Sequence, residues 1–132
     1  MNDPLQADEE PDDASAVPEL PLRIHIEQPD RRTTVCRLRG DLDMRTTRLL
    51  RDELAPCLET PGQKVVLDMT GIGFLGSAGL SELVGSHEVA SERGVTLLIV
   101  ADSRTVLRPL EITGLRSLIR TFPSTEAALA DV

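Results

Sequence analysis

The stretch with the most chemical potential runs from Gly71-Ile-Gly73-Phe-Leu-Gly76 into Ser77-Ala78-Gly79-Leu80. Three chemistries fit it in outline. Gly71-x-Gly73-x-x-Gly76 follows an apolar strand and opens a helix, as a dinucleotide-binding loop would. Against that, the acid ending the next strand, Asp102, lies about 26 residues past Gly76 where roughly 20 are expected. The loop is also not on the first strand of the domain. Leu75-Gly76-Ser77-Ala78-Gly79 resembles a nucleophile elbow, but Leu75 replaces the glycine that elbow needs. His87, the one histidine that follows, falls on the apolar stripe of the same helix, where a half-buried structural role is expected. The third chemistry is phosphoryl acceptance. Ser77 at a helix start, after a glycine-rich loop read as mobile, has a reachable hydroxyl, and free N–H groups and the macrodipole tolerate phosphate there. A plain N-cap serine is the alternative.

Other inventories narrow the field. Two His, His25 and His87, and two Cys, Cys36 and Cys57, give no metal-ligand spacing and no disulfide scaffold. No metal, no cofactor and no catalytic residue are expected, and the chain is read as a non-enzyme. Cys36 falls on the inner face of a strand and Cys57 on the buried stripe of a helix, so both are expected reduced, buried and slow to react. Aromatic residues are 2% of the chain, which removes stacking platforms for nucleic acid. The net charge of −8 opposes binding to nucleic acid or anionic membrane. That charge is local: residues 1–21 hold seven acids and no Lys or Arg, and the rest is nearly neutral. Without core-forming residues, 1–21 is expected to be a disordered acidic tail. The Met-Asn-Asp-Pro start has no signal-peptide pattern, and the longest apolar run, Val95–Ala101, is too short to span a membrane. A cytoplasmic domain is expected.

The elements that must position Ser77 follow from periodicity. Leu22, Ile24 and Ile26 alternate with polar residues, and Pro29–Arg32 turns the chain into a second alternating strand over Thr33–Arg39. This hairpin, polar on its outer face, is expected at one edge of the sheet. Gly40-Asp-Leu-Asp43 ends it, and Asp43 is the expected N-cap of a helix carrying Leu50, Leu54, Cys57 and Leu58, kinked in its last turn by Pro56. Lys64–Met69 reads as a strand covered on both faces. A helix over about 77–93, with Leu80, Leu83, Val84 and His87 inward, ends at Gly94. A strand over 95–101, a short helix capped at Asp102-Ser103, a strand over 118–122 and a terminal helix from Ser124 complete the chain. The fold class is α/β: an N-terminal β-hairpin, then alternating α and β with a mostly parallel sheet.

Gly40-Asp-Leu-Asp43, the run Val65-Val-Leu-Asp68-Met-Thr-Gly-Ile-Gly-Phe-Leu-Gly-Ser77-Ala-Gly-Leu80, and Ile112-Thr-Gly114-Leu115 resemble the STAS domain of bacterial anti-sigma-factor antagonists. The resemblance spans 22–132, leaving 1–21 as the tail, and implies helices mainly on one side of the sheet. It implies an antagonist that binds an anti-sigma serine kinase of the GHKL type and so frees a sigma factor. Ser77 is then the phosphoacceptor whose modification abolishes binding, reset by a PP2C-type phosphatase. It also implies that Asp43, facing an arginine of the kinase, joins Gly76, Ser77, Ala78, Gly79 and Leu80 in the partner-binding surface. The family usually carries Asp immediately before the acceptor; here Gly76 takes that place, removing a carboxylate that could orient the hydroxyl. Gly76 favours a rival: a constitutive STAS partner-binding module, in a signalling or transport assembly, without phosphorylation of Ser77. A small nucleotide-binding protein using Gly71, Gly73 and Gly76 is the other rival.

Overall fold

The computed structural model describes residues 21–131, so the expectation for the acidic tail falls, apart from Pro21, outside the described residues. Eleven elements follow in order: β1 Leu22–Asp30, β2 Thr33–Leu42, α1 Thr47–Leu54 with a 3-10 turn over Ala55–Leu58, β3 Lys64–Leu75, α2 Ser77–Arg93, β4 Thr96–Val100, α3 Arg104–Ile112, α4 Leu115–Leu118, β5 Thr121–Phe122 and α5 Thr125–Ala130. The strands form one sheet in the order β1-β2-β3-β4-β5. The β1–β2 hairpin is antiparallel and sits at the sheet edge, and every other pairing is parallel.

The period of two divides the strands between two cores. Cys36 and Leu38 of β2, Val65, Leu67 and Met69 of β3, and Leu97 and Ile99 of β4 face one way, against leucines of α1 and α2 and Val106 and Leu110 of α3. Val35, Val66, Leu98 and Val100 face the other way, where Ala128 of α5 covers them. Four helices therefore share one side and α5 the other, which is why β3 and β4 read as unbroken apolar runs. The inward stripe of α2 differs from the expected one. Gly79, Glu82, Leu83, Ser86 and Ala90 are buried, while His87 is half-buried at the margin.

Three further expectations are corrected. The residues 71–76 are not a loop: β3 continues to Leu75, with Arg39 paired to Gly71, Gly40 to Ile72, Asp41 to Phe74 and Leu42 to Leu75. Each strand glycine costs roughly 0.5–1 kcal/mol, but burying Ile72 and Leu75 returns about 1.5–3 kcal/mol apiece. Two register shifts against β2 absorb the extra residues of β3. At the first, the buried Asp68 carboxylate accepts the Thr70 N–H at 3.0 Å and its hydroxyl at 2.7 Å, and pairs with Arg37 at 3.0 Å. Only the part of β3 through Asp68 also pairs with β4; beyond it, β3 rests on β2 alone among the strands. Second, Pro56 does not bend an α-helix but sits in the 3-10 turn that succeeds α1. Third, 115–118 is helical and the last strand is only Thr121–Phe122, because the left-handed Gly114 starts a new turn.

Candidate functional site

The site is built at the carboxyl ends of β2 and β3, where each parallel strand passes into its helix. Leu42 and Leu75 are ladder partners, and the Gly76 N–H then donates to the Leu42 carbonyl at 3.0 Å. The residues that follow, Asp43 on one segment and Ser77 on the other, are thereby brought to the same end of the sheet.

On the β2 side, Asp43 does not cap α1. The helix begins at Thr47, with Thr46 at the capping position and no side-chain cap. Asp43 instead closes a local turn. Its carboxylate accepts the Arg45 N–H at 2.9 Å and the Arg45 guanidinium at 2.9 and 3.2 Å. That guanidinium holds the Asp43 carboxyl below the usual carboxylate range. The buried Thr46 hydroxyl locks the turn from beneath, donating to the Asp41 carbonyl at 2.8 Å and accepting the Asp43 N–H at 3.0 Å. Any external cation reaching Asp43 must displace Arg45, whose side chain is itself exposed.

On the β3 side, Ser77 is the first residue of α2, exposed, with extended Gly76 at the capping position. Ser77 is therefore not an N-cap. Gly76 has no side chain to satisfy the first-turn N–H groups, so that end of α2 is open to acceptors. Ala78 is half-buried, and Leu80 packs partly buried against the core. Gly79 is buried for a steric reason: a Cβ there would lie 2.8 Å from the Leu42 carbonyl oxygen and 2.9 Å from the side chains of Leu42 and Leu75. Gly79 thus lets α2 press against the ends of both strands. Gly76, Ser77 and Ala78 reach the surface; Gly79 and Leu80 support them from below.

Two residues were missed at the sequence level. Met44 is 83% exposed and Phe74 is 51% exposed, apolar side chains flanking the acidic turn and the serine. The Phe74 ring lies over Gly76, 3.0 Å from where a Cβ would be. The signal was available: Phe74 alternates with Leu75 along the strand, so it stands on the face opposite that of its buried neighbour. A groove of about 500 Å³ between α1 and α2 opens beside Ala78. Its floor holds Glu82, only 8% exposed, which accepts from Arg51 at 2.8 and 3.0 Å and from Ser86 at 3.2 Å.

The glycines do not form a phosphate cradle, since 71–75 are committed to the ladder with β2. Among the described residues no group of three or more His, Cys, Asp or Glu could hold a metal ion, and no helix is long and apolar enough to cross a membrane.

With this geometry in place, likeness to known proteins has a structural meaning. The chain is 28% identical over 93 residues to the anti-sigma-F factor antagonist RsfB of Mycobacterium tuberculosis, covering 70% of this chain and 75% of that one. A crystal structure of an anti-sigma factor antagonist from Mycobacterium paratuberculosis superposes with a TM-score of 0.73 at 25% identity, over 82% of this chain and 91% of that one. The same fold occurs within the murine Solute Carrier 26 family member A9 anion transporter, with a TM-score of 0.66 at 18% identity over 77% of this chain and 18% of the transporter. The model of the STAS domain matches residues 23–128, from the second residue of β1 into α5, and the chain belongs to that family.

Proposed function

We propose that this protein is an anti-sigma-factor antagonist, a binding regulator rather than an enzyme, acting in the cytoplasm. It binds an anti-sigma serine kinase of the GHKL type through the surface around Asp43 and Ser77, and phosphorylation of Ser77 switches it off. A PP2C-type phosphatase restores it. The observation that carries this reading is the exposed Ser77 hydroxyl at the open start of α2, on the same rim as the Asp43 turn.

The physics of the switch is asymmetric. A phosphoserine adds about −1.5 to −2 charges, and a helix N-terminus stabilises such a group by roughly 0.3–1 kcal/mol. The free domain therefore keeps its fold. At a packed interface the same dianion must be desolvated between Phe74, Met44 and whatever the partner presents. Reversing occupancy from 99:1 to 1:99 takes about 5.5 kcal/mol, a magnitude that one misplaced charge at an interface centre supplies.

The test is calorimetry with a GHKL-type anti-sigma kinase of the same organism. Ser77→Glu is expected to keep the melting temperature and weaken binding at least about tenfold, ~1.4 kcal/mol. Ser77→Ala binds but resists release by ATP, and wild-type protein gains one phosphate, mapped to Ser77. Wild-type affinity in Ser77→Glu, with no phosphate gained, would favour the second reading, a constitutive STAS module. Gly76 supports that alternative, because no carboxylate stands beside the hydroxyl.

A further inference from the structure

The hairpin of β1 and β2 sets like charges face to face. Arg23 pairs across it with Arg39, and His25 with Arg37, so these four side chains share one face of the sheet. It is the face that α5 covers farther along, over β3, β4 and β5; on the hairpin the four side chains are exposed. Like charges directly opposite one another in a sheet are destabilising, and a counter-charge laid over them removes that cost. The chain carries one close by in sequence: residues 1–20 hold seven acids and no Lys or Arg. We propose that this acidic arm docks in cis on the Arg23–Arg39 rung, with the run Asp8-Glu-Glu-Pro-Asp-Asp13 making the contact.

The local ion pairs select this rung over the rest of the face. The Arg37 end is already neutralised: Arg37 pairs with Glu27 at 3.2 Å and with Asp68 at 3.0 Å, and His25 lies 3.3 Å from Glu27. The other end is not. Arg39 has no ion-pair partner among the described residues, and the nearest acids along the chain, Asp41 and Asp43, are both engaged by Arg45, at 3.6 and 2.9 Å. Positive charge is therefore left over at the end of the face from which the arm departs.

The point of departure is itself fixed. The Pro21 carbonyl accepts the Asp41 N–H at 2.7 Å, and a Cβ on Gly40 would lie 2.3 Å from that oxygen. Glycine with a φ of 121° lets the two segments close up there. From Pro21 to Arg23 is two strand residues, about 7 Å. Asp13 precedes Pro21 by eight residues, and a flexible chain of that length spans roughly 15 Å. A short tether of this kind sets an effective concentration in the millimolar range, which sustains ion pairs that are individually weak at an exposed surface. Arg39 lies four residues before Asp43, so the docked arm flanks the Asp43 side of the rim.

The test keeps the chain whole and reads backbone amide shifts by NMR at low ionic strength. One variant neutralises the arm with Asp8→Asn, Glu9→Gln, Glu10→Gln, Asp12→Asn and Asp13→Asn together. Relative to wild type, the amides of Arg23, Arg39 and Asp41 are expected to move, while those of Arg104 and Arg108, the exposed bases of α3, stay in place. Salt at about 1 M, where the screening length is near 3 Å, should carry the wild-type rung to the position it has in the neutralised variant. In the reverse direction, Arg39→Gln should displace the amides of 8–13, and Arg39→Lys should leave them near their wild-type positions. Rung amides that do not respond to neutralisation would overturn the proposal. So would movement at Arg104 and Arg108 instead, or a displacement that fades on dilution, which would place the arm on a second copy of the chain.

Discussion

The Gly76 N–H donates to the Leu42 carbonyl at 3.0 Å, and that bond fixes where Asp43 and Ser77 stand relative to each other. It extends the β2–β3 ladder one step past its last residue pair, into the segments that bear the proposed switch. Both residues are thereby tied to the buried Leu42–Leu75 rung of the sheet.

Gly79 and Gly85 lie on the same helix and should respond oppositely to alanine. Alanine is favoured over glycine within a helix by about 1 kcal/mol. At Gly85 nothing lies within 4 Å of the new methyl group, so Gly85→Ala is expected to stabilise by roughly 0.5–1 kcal/mol. At Gly79 the methyl group meets the Leu42 carbonyl oxygen at 2.8 Å, and overpacking of this kind costs about 1–3 kcal/mol. Thermal unfolding of the two variants checks the signs; a gain from Gly79→Ala would mean that α2 is not pressed against β2.

Gly76 has an extended backbone that any residue adopts, φ −95° and ψ 179°. A side chain there meets only the half-exposed Phe74 ring, which can turn away. Gly76→Asp should therefore change stability by no more than about 0.5 kcal/mol, aspartate being a good N-cap. With the carboxylate restored beside the hydroxyl, phosphorylation of Ser77 by the anti-sigma kinase is expected to quicken with no new site appearing. A slower reaction would show that the missing carboxylate is not what limits transfer.

Glu82 and Arg51 are a pair of unequal burial, 8% and 60% side-chain exposure. Arg51→Ala leaves the carboxylate under the groove with Ser86 alone and should cost about 1–3 kcal/mol at pH 7. Replacing both partners, Arg51→Met with Glu82→Met, removes the buried charge together with its counterion and should restore most of that loss. Denaturant unfolding of the single and double variants measures it, and equal losses in both would assign the effect to packing.

The Asp43 carboxyl is held low by Arg45, so Arg45→Ala should raise it toward the ordinary value of about 3.9. A depressed folded-state value stabilises the protein above the unfolded value and is lost as pH falls through the folded one. The wild-type advantage over Arg45→Ala should accordingly shrink below a pH of about 4. NMR titration of the Asp43 side chain reads the shift directly, and an unchanged midpoint would remove Arg45 as its cause.

Which of these features the sequence disclosed depended on how local their causes are. The α2 start at Ser77, its end at Gly94, the start of the last helix at Ser124 and the edge position of the hairpin all follow from short-range patterning, although β2 runs through Gly40 to Leu42 instead of ending at Arg39. The strand over 71–75 was illegible because glycine composition argues for a loop. What decides it is the ladder offered by Arg39–Leu42, thirty residues away. Asp43 is the cap that short-range patterning predicts for α1, but Arg45 claims its carboxylate and the helix starts at Thr47. The meeting of Arg51 with Glu82 is a tertiary fact with no sequence period.

Past Asp68, β3 has one hydrogen-bonded strand neighbour instead of two. Local opening follows the number of protecting partners, and segments with fewer reach exchange-competent states at lower free energy than the global transition. The ribbon of Arg39–Leu42 and Gly71–Leu75 can therefore breathe while β3 and β4 stay closed below it, restrained by the burial of Ile72 and Leu75. Amide protons of 71–75 should exchange with solvent deuterium ahead of those of 64–68. The rim that carries Phe74 and Ser77 then belongs to a cooperative unit of its own, able to adapt to a docked surface without loosening the body of the domain.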